Sequence, residues 1–270
     1  MKYMKILIIN GSAHKGNTWK LVKQSKHYLM KLNNEIEFDE VHLFEEDLPF
    51  CIGCSNCFRV GHEKCPHYSV VGEIIKKIEN ADGIIFASTT YNMRETALLK
   101  NLFDHLCFML HRPYFFRSKA LIITTTGGVG GRAAAKSIRS TLKGIGFNRC
   151  YIFSKPTFSW NAYEPNNRVL KALDKRVNKF YRDVNSKKLH SPDVSLLIPY
   201  NLFRGMSLAY VPGTEYETKD GVYWTEECRR KTVYAPEVKV SFYKKPVGWL
   251  FYEIGKIAGN MKGMAVTYRK

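Results

Sequence analysis

The chain has 270 residues, of which 45% are hydrophobic and 24% are charged, a balance ordinary for a globular protein with one sizeable core. Its apolar runs fall short of the roughly 20 residues needed to cross a bilayer. The short apolar start resembles a buried strand more than a signal peptide, and we therefore expect a cytoplasmic protein. The formal net charge of +18 favours anionic partners such as nucleotide phosphates.

Strand-like and helix-like segments alternate through the first two thirds of the chain. Short apolar runs and period-two alternation predict strands at 5–10, 35–44, 83–87, 120–124 and 147–153. Apolar residues at helical spacing predict helices at 18–32, 70–78, 96–110, 132–143 and 169–184. This alternation predicts an α/β fold, a doubly wound five-stranded parallel sheet of the flavodoxin type.

The pattern changes after about residue 188. Residues 189–270 contain scattered Pro, Trp and Tyr residues, a turn-like Lys219-Asp220-Gly221 and a final stretch at 248–264. We expect residues 1–188 to form one α/β domain. Residues 189–270 are expected to form an irregular extension that packs on this domain or on a partner subunit.

A polar loop lies between the first predicted strand and the first predicted helix. It reads Gly11-Ser12-Ala13-His14-Lys15-Gly16-Asn17-Thr18. Such a loop lies at the carboxyl edge of a parallel sheet, where backbone N–H groups, hydroxyls and the positive end of a helix can hold a phosphate. It matches neither the GxGxxG fingerprint nor the P-loop pattern. The alternative is a plain turn with Asn17 or Thr18 as the helix cap.

Two further polar loops follow later predicted strands. They read Ser88-Thr89-Thr90-Tyr91-Asn92-Met93 and Thr124-Thr125-Thr126-Gly127-Gly128. Together, the three loops resemble the flavin site of the flavodoxin-like NAD(P)H-dependent FMN reductases, over roughly residues 3–185. The first loop is similar to that family's GSxRxxGNT. The stretch STTYNMRETALLKNLFDH is similar to its SPVYxxxxxxxLKxFxDR, with Thr89-Thr90 in place of Pro-Val.

The resemblance implies a flavin-dependent oxidoreductase whose residues 1–188 hold one FMN, with NAD(P)H as a possible electron donor. The first loop would hold the phosphate, the second would border the isoalloxazine ring, and the third would close its other side. The cofactor-binding residues expected are Ser12, His14, Gly16, Asn17, Thr18, Thr89, Thr90, Tyr91, Asn92, Met93, Thr126, Gly127 and Gly128. No catalytic side chain is nominated, because the flavin supplies the chemistry.

Four of the seven cysteines lie close together, between the second predicted strand and the helix at 70–78. They read Cys51-x2-Cys54-x2-Cys57-x7-Cys65 and are followed by proline. Clustered cysteines in a reducing compartment indicate metal or redox chemistry, and four thiolates at this spacing can ligate one [4Fe–4S] cluster. The run also resembles the cysteine motif of the iron–sulfur flavoprotein branch of the family.

Other interpretations of these cysteines stay open. Zinc could bind four thiolates, with His62 and His67 nearby, or the cysteines could carry no metal. The three scattered cysteines, Cys107, Cys150 and Cys228, are predicted to be small buried residues.

These observations predict an iron–sulfur FMN protein that passes electrons between a reduced donor, ferredoxin or NAD(P)H, and a small acceptor. One alternative is an NAD(P)H-dependent FMN or quinone reductase without a cluster. Another is a non-enzymatic flavin-binding protein with structural zinc. Analogy predicts a homo-oligomer, a dimer or tetramer. Nucleic acid is not an expected partner, because no zinc-finger, RNP or homeodomain signature appears.

A basic face is predicted on the helix at 132–143. Arg132, Lys136, Arg139 and Lys143 are spaced 4, 3 and 4 apart and therefore share one side. Residues 105–163 contain no Asp or Glu at all. The plain interpretation is a solvated face, and the functional one is an anionic dock for NADPH or for an acidic electron carrier.

Overall fold

The computed structural model describes residues 3–214 and 217–261. Five parallel strands form one sheet in the order β2-β1-β3-β4-β5. The strands are β1 (Lys5–Asn10), β2 (Glu37–His42), β3 (Gly83–Thr89), β4 (Lys119–Thr126) and β5 (Arg149–Pro156). The direction of winding reverses beside β1, and open parallel sheets bind ligands at the carboxyl ends of the strands at such a point.

Helices cover both faces of this sheet. Those of the α/β part are α1 (Asn17–Leu32), α2 (Asn56–Arg59), α3 (Tyr68–Glu79), α4 (Ala97–His105), α5 (Phe108–His111), α6 (Gly131–Gly144) and α7 (Asn167–Ser186). Alternate strand residues point to opposite faces. Leu7 and Ile9 pack with residues of α3, α4 and α6, whereas Ile6 and Ile8 pack with residues of α1 and α7.

All five predicted strands are present, and so are four of the five predicted helices, with most boundaries shifted by a few residues. The prediction of one helix at 96–110 is wrong, because α4 ends at His105 and α5 begins at Phe108. Between them the chain tightens, since the N–H groups of Leu106 and Cys107 both bond a carbonyl three residues earlier. Cys107 lies in this tighter turn.

The prediction that the C-terminal part is irregular is also wrong. It contains α8 (Val194–Met206), α9 (Lys219–Thr225), α10 (Glu227–Arg230) and α11 (Lys245–Asn260). The expected turn at 219–221 is the first turn of α9, where the side chain of Thr218 accepts from the N–H of Gly221. The stretch predicted at 248–264 lies in α11 as far as Asn260, and residues 262–264 lie outside the described residues.

Close backbone packing joins α8 to α11. A Cβ added at Gly255 would lie 2.5 Å from the carbonyl oxygen of Leu202, and one at Gly205 would lie 2.3 Å from that of Tyr252. Only glycine permits this approach, so two helices with little sequence signal pack tightly. Beside them, Tyr200, Trp224 and other apolar side chains form a third buried cluster.

The C-terminal segment touches the α/β part through polar groups. His190 pairs with the buried Asp183 of α7 at 2.7 Å, and Asp220 of α9 hydrogen-bonds His111 at 2.8 Å. The division of the chain into two units near residue 188 stays a prediction. In the described ranges, no helix is both long enough and apolar enough to cross a membrane.

Candidate flavin cleft and cysteine pocket

A cleft of about 310 Å³ opens at the carboxyl ends of the strands. It is lined by Ser12, His14, Gly16, Asn17, Thr18, Thr89, Thr90, Tyr91, Thr125, Thr126, Gly127, Thr157, Ser159 and Trp160. None of these residues is acidic, so no lining side chain repels an anion. Three loops distant in sequence therefore meet here, together with a fourth loop after β5.

The loop between β1 and α1 offers free hydrogen-bond donors to the cleft. The Asn10 side chain bonds both the N–H and the C=O of Ser12, each at 3.2 Å, and so shapes the start of the loop. Gly16 is the N-cap of α1 and provides no side-chain cap. Among the described residues, none accepts a hydrogen bond from the backbone N–H groups of residues 13–18. These groups lie at the positive end of α1, where an anion is stabilised.

Asn17 and Thr18 fasten neighbouring loops to this helix end. The Asn17 amide donates to the carbonyl oxygens of Ser159 at 2.9 Å and Trp160 at 3.3 Å, while its Oδ1 is buried without a partner. The hydroxyl oxygens of Thr18 and Thr125 lie 2.6 Å apart. Asn17 therefore positions the loop after β5 and presents an acceptor, rather than a donor, to the interior.

The loop after β3 ends in a two-residue hairpin turn. Tyr91 and Arg94 exchange backbone hydrogen bonds of 3.1 and 2.9 Å, and between them Asn92 and Met93 have φ of 48° and 62°. Two positive φ values are typical of a type I′ turn. Asn92 and Met93, the two central residues of this turn, are not among the residues that line the cleft. The hydroxyl of Thr90 is buried there without a partner.

Glycines shape the third loop, which follows β4. A Cβ added at Gly127 or Gly128 would meet nothing within 4 Å, so the backbone itself faces open space. Gly127 lines the cleft, whereas Gly128 does not. Gly130 has φ of +88°, and a Cβ there would lie 2.9 Å from Met93 Cγ. The second and third loops therefore pack directly against each other.

The loop after β5 is the part of the cleft that sequence reasoning missed. The N–H and hydroxyl of Thr157 both bond the carbonyl of Thr126, at 2.8 and 3.1 Å. The Trp160 side chain is 92% exposed at the rim. The predicted strand ended at 153, three residues early, which separated this loop from the sheet edge. The Ser, Thr and aromatic residues of this loop are the sequence feature that could have identified it as part of the cleft.

Three observations indicate that the cleft fits a phosphorylated flavin. Unpaired N–H groups at the start of α1 suit a phosphate. The buried Asn17 Oδ1 and Thr90 Oγ1 both require a partner that the described residues do not supply. A glycine wall at Gly127 lets a flat ring approach the backbone.

A second pocket, of about 60 Å³, collects the cysteines. All four motif cysteines line it, with Cys51 and Cys54 exposed and Cys57 and Cys65 half-buried. The pocket also contains a fifth thiol, Cys107, beside Cys57. The interaction between the two thiols raises the pKa of Cys57 far above its usual range and lowers the pKa of Cys107.

The prediction for the three scattered cysteines is corrected in part. Cys107 is half-buried in the cysteine pocket, because the tight turn after α4 brings it there. Cys150 is half-buried against the core, and burial raises its pKa to about 12. Cys228 is exposed, since it lies on the short surface helix α10.

Two side chains of α4 hold the start of the cysteine loop. Asn101 accepts from the N–H of Cys51 at 3.1 Å and donates to the carbonyls of Leu48 and Pro49. A ring nitrogen of His105 lies 2.9 Å from the Pro49 oxygen. At the other side, Arg112 donates to the Cys57 carbonyl at 2.6 Å and pairs with the buried Asp220. The cysteine loop is therefore anchored beside Cys51 and again beside Cys57.

Histidines surround one edge of this pocket. Ligand atoms of Cys65, His67 and His105 lie within 4.8 Å of one another. His62 instead stacks on Phe108, with ring centroids 5.0 Å apart, and burial lowers its pKa. Thiolate and imidazole are ligands that zinc accepts.

The sequence profile of the NADPH-dependent FMN reductases matches residues 4–164. The chain belongs to this family. An iron–sulfur flavoprotein of Clostridioides difficile strain 630 is 30% identical over 187 residues, which are 68% of this chain and 81% of that relative. Together with further iron–sulfur flavoproteins among its relatives, this match places the chain in the iron–sulfur flavoprotein branch.

Two more comparisons extend this assignment. An NADPH:quinone oxidoreductase of Arabidopsis thaliana is 37% identical over 97 residues, 36% of this chain and 46% of the relative. The solved structure of a flavoenzyme NAD(P)H:acceptor oxidoreductase from Paracoccus denitrificans aligns with a TM-score of 0.51 and 20% identity, over 69% of this chain and all of that one, which shows the shared fold.

The family assignment has direct consequences for function. The chain is a flavin-dependent oxidoreductase that uses FMN. The family assignment excludes the alternative of a non-enzymatic flavin-binding protein. The predicted flavodoxin-type sheet and family branch are confirmed. The matched region ends at residue 164, so α7 and the C-terminal helices lie outside it.

Proposed function

We propose that this chain carries FMN in the strand-end cleft and an iron–sulfur cluster in the cysteine pocket, and that it passes electrons between a reduced donor and a small acceptor. The observation that carries the proposal is the arrangement of Cys51, Cys54, Cys57 and Cys65 around one pocket. The loop that bears them is anchored to α4, and α4 begins at the flavin loops, where Thr96 donates to the Gly11 carbonyl at 2.6 Å.

The cleft residues would bind and orient FMN. The N–H groups of residues 13–18 and the hydroxyls of Ser12 and Thr18 suit the phosphate, since all are donors at the positive helix end. Thr90 and the backbone of Gly127 suit the ring. When bound, FMN supplies both two-electron and one-electron chemistry. The chain itself supplies position and a lining without carboxylates.

The cysteine pocket suits a [4Fe–4S] cluster by its donor set. Four thiolates are available, and the Arg112 guanidinium fixes the backbone beside one of them by donating to the Cys57 carbonyl. When bound, such a cluster supplies one-electron transfer. Asn101, His105 and Arg112 would position the ligands by fixing the backbone beside Cys51 and Cys57.

A second candidate for this pocket is zinc. The grouping of Cys65, His67 and His105 within 4.8 Å favours it, because a Cys/His set resembles structural zinc sites. Under this alternative the protein would be an NAD(P)H-dependent FMN or quinone reductase without a cluster. Cys65 cannot serve both metals at once, so the two candidates exclude each other.

Composition of the anaerobically purified full chain decides between them. We expect FMN, with iron and acid-labile sulfide in equal amounts and little zinc. Cys54→Ser should lose the iron and keep the FMN, and the exposed Cys228→Ser should keep both. Zinc in place of iron would support the second candidate, and retained iron in Cys54→Ser would exclude the proposed ligand set. A colourless protein that binds no added FMN would refute the flavin assignment itself.

Other properties of the proposed electron carrier remain proposals. Tyr91, Phe158 and Trp160 are exposed around the cleft, and apolar rims of this kind bind partners. We propose that a second subunit or the acceptor covers them, which agrees with the predicted homo-oligomer. NAD(P)H or ferredoxin is the proposed donor, and a cytoplasmic location is proposed from the free cysteines.

A further inference from the structure

A second, larger cleft lies away from the flavin cleft. Its volume is about 600 Å³, and it lies between α6 on one side and α8 on the other. It shares no lining residue with the flavin cleft or with the cysteine pocket. Volumes of roughly 300–1,000 Å³ are typical of sites for small organic ligands. Neither the proposed flavin nor the proposed cluster accounts for it.

One wall of this cleft is strongly basic. Lys136, Arg139 and Lys143 line it, three members of the basic face predicted on α6, whereas Arg132 does not. The Lys143 amine donates to the Asn148 carbonyl at 2.9 Å. Lys136 and Arg139 have no carboxylate partner among the described residues.

A single acidic residue, Asp193, offsets this charge in the lining. Burial lowers the pKa of the Lys143 amine, and the nearby Asp193 carboxylate opposes part of this shift. The charges of Lys136 and Arg139 are therefore left without a counterpart. A guanidinium paired with no protein acid is suited to a two-pronged contact with a carboxylate.

The opposite wall is apolar. Leu196, Pro199 and Phe203 of α8 line it, and Leu110 and Pro113 continue it at the end of α5. Leu110 is 40% exposed in this wall, whereas the apolar side chains of the adjacent core are buried. Phe203 stacks on His111 with ring centroids 4.3 Å apart, which fixes its position.

We propose that this cleft binds a small amphipathic carboxylate, with the carboxylate against Lys136 and Arg139 and the apolar body along α8. The concave shape favours a small molecule over the flat face of an electron-carrier protein. The two unpaired cations bind the carboxylate, and the apolar wall binds the hydrocarbon body. A ligand that fills the cleft therefore needs both groups. The proposal depends on neither the flavin nor the cluster, and it gives a function to the basic residues that the flavin site leaves unused.

Calorimetric titration of the FMN-loaded protein tests the proposal with three probes. We expect saturable binding of decanoate, at least about tenfold weaker binding of acetate, which lacks the apolar body, and no binding of decanol, which lacks the charge. Equal binding of acetate and decanoate, or no saturable binding of decanoate, would overturn the proposal.

Two matched variants locate the binding site. Arg139→Gln should raise the Kd for decanoate by at least about tenfold, because the two-pronged charge-assisted contact with the carboxylate is lost. Arg132→Gln removes the same charge from the same helix face outside the cleft and should leave the Kd within about twofold. Equal weakening by both variants would show that the whole basic face attracts anions, which would refute a site in the cleft.

Discussion

Asn17 shows how one side chain connects two loops of the flavin cleft. Its amide group holds the carbonyls of Ser159 and Trp160, and its Oδ1 is left buried without a partner. An unsatisfied buried acceptor is costly in the free protein and becomes useful when a ligand donates to it. The residue therefore contributes both to the shape of the cleft and to its readiness for a ligand.

Asn17→Ala should weaken FMN binding by about tenfold, because the loop after β5 loses two anchoring bonds. Fluorescence quenching of FMN titrated with the apoprotein measures this. Asn178→Ala is the matched control, since Asn178 bonds only within α7, to Asp174. An unchanged Kd for Asn17→Ala would mean that the β5 loop is not part of the FMN site.

Cys107 is far from the four motif cysteines in sequence but lies next to them in the structure. It shares the pocket of the four motif cysteines and interacts with the Cys57 thiol. If the motif cysteines are the ligands, Cys107→Ala should retain iron and sulfide close to wild-type amounts, whereas Cys57→Ala should lose most of both. Metal analysis of the two anaerobic preparations distinguishes them. Loss of iron in Cys107→Ala alone would make Cys107 a ligand.

At the scale of elements, the contact between the second and third cleft loops depends on backbone conformation. Gly130 has a positive φ and approaches Met93, which also has a positive φ at its turn. An L residue at such a φ is strained. The pair therefore holds the second and third loops in direct contact beside the cleft.

Gly130→Ala should lower the free energy of unfolding by about 1–2 kcal/mol, through both the positive φ and the contact with Met93. It should also weaken FMN binding, because the two loops must separate. Gly128→Ala is the control, as its Cβ would meet nothing within 4 Å. Urea unfolding of both variants provides the measurement, and equal stabilities would contradict this account of the loop contact.

At the scale of the whole molecule, a chain of charges links the C-terminal segment to the cysteine pocket. Asp220 of α9 bonds His111 and Arg112, and Arg112 in turn holds the Cys57 carbonyl. Arg112 and Asp220 are both nearly buried, with side chains 9% and 10% exposed. Removing one member of a buried pair costs about 3–5 kcal/mol, because the other charge is left without a partner.

Asp220→Asn should therefore loosen the cysteine loop at a distance, without altering any cysteine. If the pocket holds the proposed cluster, iron should be lost to a chelator several-fold faster than from the wild type, with FMN retained. Glu227→Gln serves as the control, because its pair with Lys231 is exposed and contributes little. Equal rates of iron loss in all three proteins would show that the C-terminal segment does not support the pocket.

The sequence by itself determined the sheet, the family and the composition of three cleft loops. Apolar runs such as 5–10 have few alternatives to a buried strand, and a polar loop after each strand must lie at the same edge of a parallel sheet. These are local patterns combined with one rule of topology.

Only the tertiary structure decided which distant residues meet. The loop after β5, the arrival of Cys107 beside Cys57, the Arg112–Asp220 pair and the glycine-mediated packing of α8 on α11 all join segments far apart in the chain. These contacts depend on the direction of the backbone and on how closely two segments can approach. A tight turn sets the first, and a missing Cβ permits the second. Periodicity along the chain carries no record of such contacts, since it reports only which side of an element is buried.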